Sequence, residues 1–75
     1  MLYRIENVAL LIKETRVSVH MTQHELALKS GVDASVILRI ERGDTVPNIK
    51  TINRLVNALG YTPMISFQKL DKGHY

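Results

Sequence analysis

His20 and His24 stand four residues apart, a spacing that on a single helix can hold a metal ion. Thr22 lies between them and is a residue type that opens helices. His20 then falls outside the helix carrying His24, and the shared face is lost. Both read as surface histidines, and no metal or other cofactor is expected. Ser30, His24 and Asp33 supply the residue types of a hydrolytic triad, yet nothing activates Ser30 or offers an oxyanion donor. Catalysis is not expected. The chain has no Cys, which excludes disulfides and thiolate metal sites. The charges are more informative. Between Arg39 and Arg54 lie the basic residues Arg39, Arg42, Lys50 and Arg54 and only two acids, Glu41 and Asp44. Over the whole chain ten Lys and Arg exceed seven Asp and Glu, for a net charge of +3. That sign favours an anionic partner, nucleic acid or an acidic protein surface.

Something must position those side chains. Gly31, Gly43 and Gly60, with Pro47 and Pro63, cut the chain into four stretches of helical period and one without it. Glu6 to about Val17 places Val8, Leu11, Ile12 and Thr15 on one stripe, which predicts an amphipathic helix. Thr22-Gln23-His24-Glu25 has the form of a capping box: the Thr22 hydroxyl takes an orphan amide while Glu25 reaches back to the cap amide. Leu26 and Ala27 are then expected inside, and Gly31 ends the helix. A third helix, Asp33 to Arg42, starts on an Asp cap with Val32 and Ile37 as its hydrophobic staple, and stops at Gly43. The fourth, Asn48 to Leu59, points Ile49, Ile52, Leu55, Val56 and Leu59 inward and stops at Gly60. Met64-Ile65-Ser66-Phe67 switches to a two-residue period, which predicts a strand with Ile65 and Phe67 on one side.

With 75 residues the chain is expected to form one small domain that buries only ~60% of the surface its unfolded form exposes. No stretch approaches the ~18 apolar residues of a membrane span; the longest apolar run is Val8 to Ile12. That run is also too closely flanked by Glu6 and Lys13 for a secretory signal. A cytoplasmic binding module, with no membrane and no enclosed enzyme pocket, is the expected class.

Helices two and three, joined by a short turn containing Gly31, form a helix-turn-helix arrangement. Thr22-Gln23-His24-Glu25-Leu26-Ala27, Gly31-Val32, Ile37-Leu38-Arg39-Ile40-Glu41-Arg42-Gly43, Pro47 and Leu55-Val56-Asn57-Ala58-Leu59-Gly60 follow in order. In this the chain resembles the phage-repressor, or XRE-type, helix-turn-helix family over roughly residues 6–60. The resemblance implies an all-α fold: a compact four-helix, lambda-repressor-like domain. It also implies sequence-specific binding of double-stranded DNA and transcriptional repression. Independently, the rotation of helix three puts Val36, Ile37 and Ile40 on one side. Ser35, Leu38 and Arg42 lie on the other, flanked by Ala34 and Arg39.

By resemblance, Asp33, Ala34, Ser35 and Arg39 occupy base-facing positions. Thr22 and Gln23, at the start of helix two, and Arg42, Thr45, Asn48 and Lys50, around the loop into helix four, are candidate phosphate contacts. Arg16 and Glu41 match an ion pair that ties helix one to helix three. Asp33 and Leu38 depart from the family, which more often has polar or basic residues at the first position and a small polar one at the second.

A lone strand needs a partner for its backbone. Residues 62–75, with Met64, Ile65, Ser66 and Phe67 as the strand, are therefore expected to pair two copies into a homodimer, leaving residues 1–61 as the DNA-binding domain. Met1 to Ile5 is the other candidate partner for the strand. A dimer would suit a palindromic operator. The short domain followed at once by such a strand is similar to antitoxins of HipB type. That likeness implies an autoregulatory antitoxin of a toxin–antitoxin module whose partner is a HipA-like kinase toxin. The alternatives are a protein-interaction module that neutralises a toxin with little or no DNA binding, or a stand-alone phage-type regulator.

Overall fold

The computed structural model describes residues 5–63. Four helices follow in order: α1 (Ile5–Ser18), α2 (Gln23–Ser30), α3 (Ala34–Glu41) and α4 (Ile49–Ala58). The expected strand Met64–Phe67 lies outside the described residues, as do Met1 to Arg4. Ile5, at the edge of the other segment considered for strand pairing, is the first residue of α1.

Local chemistry explains where each helix starts. The Thr22 hydroxyl accepts the Glu25 amide at 3.0 Å and the Glu25 carboxylate accepts the Thr22 amide at 2.9 Å, a closed capping box. The Asn48 side-chain oxygen accepts the Thr51 amide at 2.8 Å and caps α4. Asp33 is the N-cap of α3, but its carboxylate accepts no cap hydrogen bond. Only its backbone carbonyl takes the Val36 and Ile37 amides. The sequence places this cap correctly and overstates what the side chain does there.

Helix ends are equally specific. Gly31 takes the left-handed conformation, φ 75°, and its amide meets the Ala27 carbonyl. At the end of α1 the same conformation falls to a non-glycine residue, His20, at φ 59°. The His20 amide bonds the Val17 carbonyl and the Met21 amide bonds the Arg16 carbonyl, which is the Schellman pattern. His20 is thus a helix terminator, a role its residue type does not announce.

Leu26, Ile37, Ile40 and Leu55 are fully buried, and Ile12, Val32 and Leu59 join them in one core cluster. Each such side chain contributes ~1.5–3 kcal/mol by leaving water. Val8, Met21, Ala27, Val36 and Ala58 pack against it. The staple pair Val32 and Ile37 belongs to this cluster, so the turn between α2 and α3 is pinned from below. α2 packs on both α3 and α4, and α1 packs on α3. Two residues expected inside are not. Leu11 is 43% exposed and Ile49 is 60% exposed. On α1 the buried stripe centres on Ile12 and takes in Ala9, which leaves Leu11 a quarter-turn off the contact. Ile49 is the first residue of α4 and stands clear of the bundle there.

Candidate nucleic-acid interface

α3 is two-sided. Ile37 and Ile40 are sunk in the core, and Val36 is partly buried against it. Ser35, Leu38, Arg39 and Arg42 are exposed, and Ala34 is half-buried at the margin. No acid occupies the first turn of α3 beyond its cap residue, and none occupies the first turn of α4. Glu41, the acid within α3, is turned away from this surface. Its side chain is 2% exposed and is held by two neighbours.

Those neighbours set the orientation of the helices. Arg16 Nε donates to Glu41 Oε2 at 2.8 Å and Arg16 Nη2 to Glu41 Oε1 at 3.0 Å, a bidentate pair. Arg16 Nη1 donates to the Met21 carbonyl at 2.7 Å. Gln23 Nε2 also donates to Glu41 Oε1, at 3.0 Å. One carboxylate thereby joins the end of α1, the start of α2 and the end of α3. Burial pushes the Glu41 carboxyl up, but hydrogen bonds from Arg16 and Gln23, with the nearby Arg16 and Lys13 charges, outweigh it. The net result is a pKa below the ordinary carboxylate value. Hydrogen bonding to Glu41 raises the Arg16 pKa despite its burial. Both partners are therefore charged near neutral pH.

Sequence spacing carries no signal for the Gln23–Glu41 contact, because the residues are 18 apart on different helices. Its geometric consequence is direct. It brings the first residue of α2 beside the last residue of α3, where the chain runs on to Arg42. The Thr22 hydroxyl accepts a bond within the capping box and retains its own hydrogen for donation. Gln23 spends one amide hydrogen on Glu41 and keeps the other. Arg42 Nε lies 3.4 Å from Asp44 Oδ2, with both side chains exposed, so this pair is weak and easily exchanged. Asn48 caps through its oxygen, which leaves its amino group unused by the cap, and Lys50 follows in the exposed first turn of α4. Thr45 is half-buried in the loop between them. Asp33 is exposed at the start of α3.

Among the described residues no group of three or more His, Cys, Asp or Glu could hold a metal ion. No described helix is long and apolar enough to cross a membrane. A shallow groove of about 410 Å³ runs past His24, Ala27, Leu28, Gly31, Val32, Asp33 and Ala34, along the outside of the α2–α3 turn.

Two helices packed through a short glycine turn, the second with one side in the core and one in solvent, match a known pattern. Residues 12–65 fit the family described as Helix-turn-helix. This chain belongs to that family. A relative from Methanothermobacter thermautotrophicus (strain Delta H), named an uncharacterized HTH-type transcriptional regulator, is 38% identical over 50 residues. The aligned stretch spans 67% of this chain and 72% of the relative. The helix-turn-helix of this family member runs from Thr22 to Arg42, with α1 and α4 as its support.

Proposed function

We propose that the chain is a sequence-specific DNA-binding transcriptional repressor, acting as a homodimer on a palindromic operator. The observation that carries this reading is the exposed Ser35–Leu38–Arg39–Arg42 side of α3, opposite the buried Ile37 and Ile40. An α-helix fits the major groove, and an arginine there can bond guanine through two hydrogen bonds. In this reading Asp33, Ala34, Ser35 and Arg39 face base edges. Thr22, Gln23, Arg42, Thr45, Asn48 and Lys50 hold phosphates, and the amino-terminal dipole of α2 adds to the attraction. The name of the methanogen relative, a transcriptional regulator, supports the same assignment.

Dimerisation belongs to residues 62–75 in this proposal, with Met64, Ile65, Ser66 and Phe67 pairing across a twofold axis and residues 1–61 contacting DNA. The two recognition helices would then stand ~34 Å apart, one turn of the duplex. The alternating pattern of that tail supports an autoregulatory antitoxin whose partner is a HipA-like kinase toxin. A gel-shift with DNA from upstream of the chain's own gene, with and without the product of the neighbouring gene, tests both parts. Retardation by the chain alone, altered by the second protein, is expected. No retardation would overturn the DNA-binding reading, and indifference to the second protein would overturn the antitoxin reading.

A further inference from the structure

The middle of the proposed reading surface is a hydrocarbon. Leu38 is 40% exposed, and the exposed neighbours around it, Ser35, Arg39 and Arg42, are all hydrogen-bonding residues. At ~100° per residue Leu38 lies about 200° round the helix from the buried Ile40 and within about 60° of Ser35 and Arg42. It therefore lies on the outward side of α3, between Ala34 and Arg42 in rotation, with the buried Ile37 about 100° away. α3 has eight residues, ~12 Å of helix, comparable with the ~12 Å width of a major groove. A residue at the middle of that length and on the outward side comes within reach of the groove floor.

The floor of the groove offers hydrogen-bonding atoms at every base pair and one apolar group, the thymine methyl. Leu38 can neither donate nor accept a hydrogen bond. Set against a guanine, adenine or cytosine edge it would strip water from polar atoms and give nothing back, a penalty for each atom left unpaired. Set against a thymine methyl it buries apolar area on both sides. We infer that Leu38 is a specificity-determining residue that selects thymine through its methyl group, at the base pair under the centre of α3. This rests on the DNA-reading function proposed above. Arg42, one turn on along the same line, and Arg39, beside it, frame the contact. Their alkyl stems are apolar and their charged heads reach outward. The exposed position of Leu38 means that shortening it removes the contact without opening the core.

The test starts by selecting a duplex from a random-sequence library with the full chain, then replacing each thymine by deoxyuridine, which lacks only the methyl. The expected result is one thymine per half-site whose replacement weakens binding about fourfold, the effect of one buried methyl. Leu38→Ala should weaken binding to the thymine duplex and bind the thymine and deoxyuridine duplexes alike. Circular dichroism and urea denaturation should show that this variant folds as the parent does. If no deoxyuridine matters to the parent chain, or if it matters equally to Leu38→Ala, the inference fails while DNA reading stands. If no sequence is enriched and no duplex binds, DNA reading itself fails and the inference falls with it.

Discussion

Arg16 and Glu41, 25 positions apart, meet as a bidentate ion pair whose side chains are only 12% and 2% exposed. Such a pair adds little net stability over a well-packed apolar pair, yet losing one partner strands a buried charge at a cost of ~3–5 kcal/mol. For so small a domain that is a large share of the available stability. Arg16→Ala is accordingly expected to lower urea-denaturation stability by about that amount. The double variant Arg16→Met with Glu41→Leu should recover most of it. A loss below about 1 kcal/mol in the single variant would contradict the pairing described.

The same carboxylate governs behaviour in acid. Glu41 has a folded-state pKa below its ordinary value near 4.5, since its hydrogen bonds from Arg16 and Gln23 overcome the opposing effect of burial. A depressed carboxyl pKa contributes stability that is present above the unfolded value and is lost as pH falls through the folded one. Glu25, held low by the Thr22 amide, acts in the same direction from the surface. Stability followed by urea denaturation from pH 7 down to pH 3 should fall below about pH 4.5. Glu41→Gln should be less stable at pH 7 and show a shallower acid decline. An unchanged slope in that variant would remove Glu41 from the explanation.

Helix ends give a graded series. Thr22→Ala and Asn48→Ala each remove a cap hydrogen bond and should cost ~1 kcal/mol, whereas Asp33→Ala removes none and should cost under ~0.5 kcal/mol. His20→Gly should stabilise by ~1 kcal/mol, because glycine adopts the left-handed conformation that His20 is forced into. Thermal melts of the four variants rank these effects. Equal losses at Thr22 and Asp33 would contradict the cap assignments.

Some of this is legible in the sequence. Thr22 and Glu25 announce their capping box because the reciprocal bonds are local. Val36, Ile37 and Ile40 announce the inward side of α3 because burial there follows helical period. His20 is different: its left-handed backbone follows from the tertiary path between α1 and α2, where nothing in its type requires it. The Gln23–Glu41 bond joins separate helices and leaves no trace in spacing. Leu11 and Ile49 mislead for a related reason, since period identifies an apolar stripe but not its margins or the point where a helix outruns its neighbours. Arg39 could be singled out on its helix face, but the meeting of Gln23 with the end of α3 depends on the Glu41 junction.

Energetics of the proposed interface separate into two kinds of residue. Arg39→Ala should weaken binding to the selected duplex by ~1–3 kcal/mol and relax preference at one base pair. Lys50→Ala should weaken binding evenly across sequences and reduce the slope of log affinity against log salt by ~1. Fluorescence anisotropy between 50 and 200 mM salt, on the order used for such titrations, distinguishes the two. Arg39→Ala leaving both affinity and preference intact would contradict the docking.

The most direct test of the central claim, that the outward side of α3 enters DNA, is a map of backbone amide shifts. The isotope-labelled chain would be titrated with the selected duplex. The largest changes are expected at Thr22 and Gln23, from Ala34 to Arg39, and from Arg42 to Lys50, with Leu10 and Val17 on the solvent side of α1 nearly still. Changes centred on α1, with Ser35 and Arg39 unmoved at saturation, would contradict it.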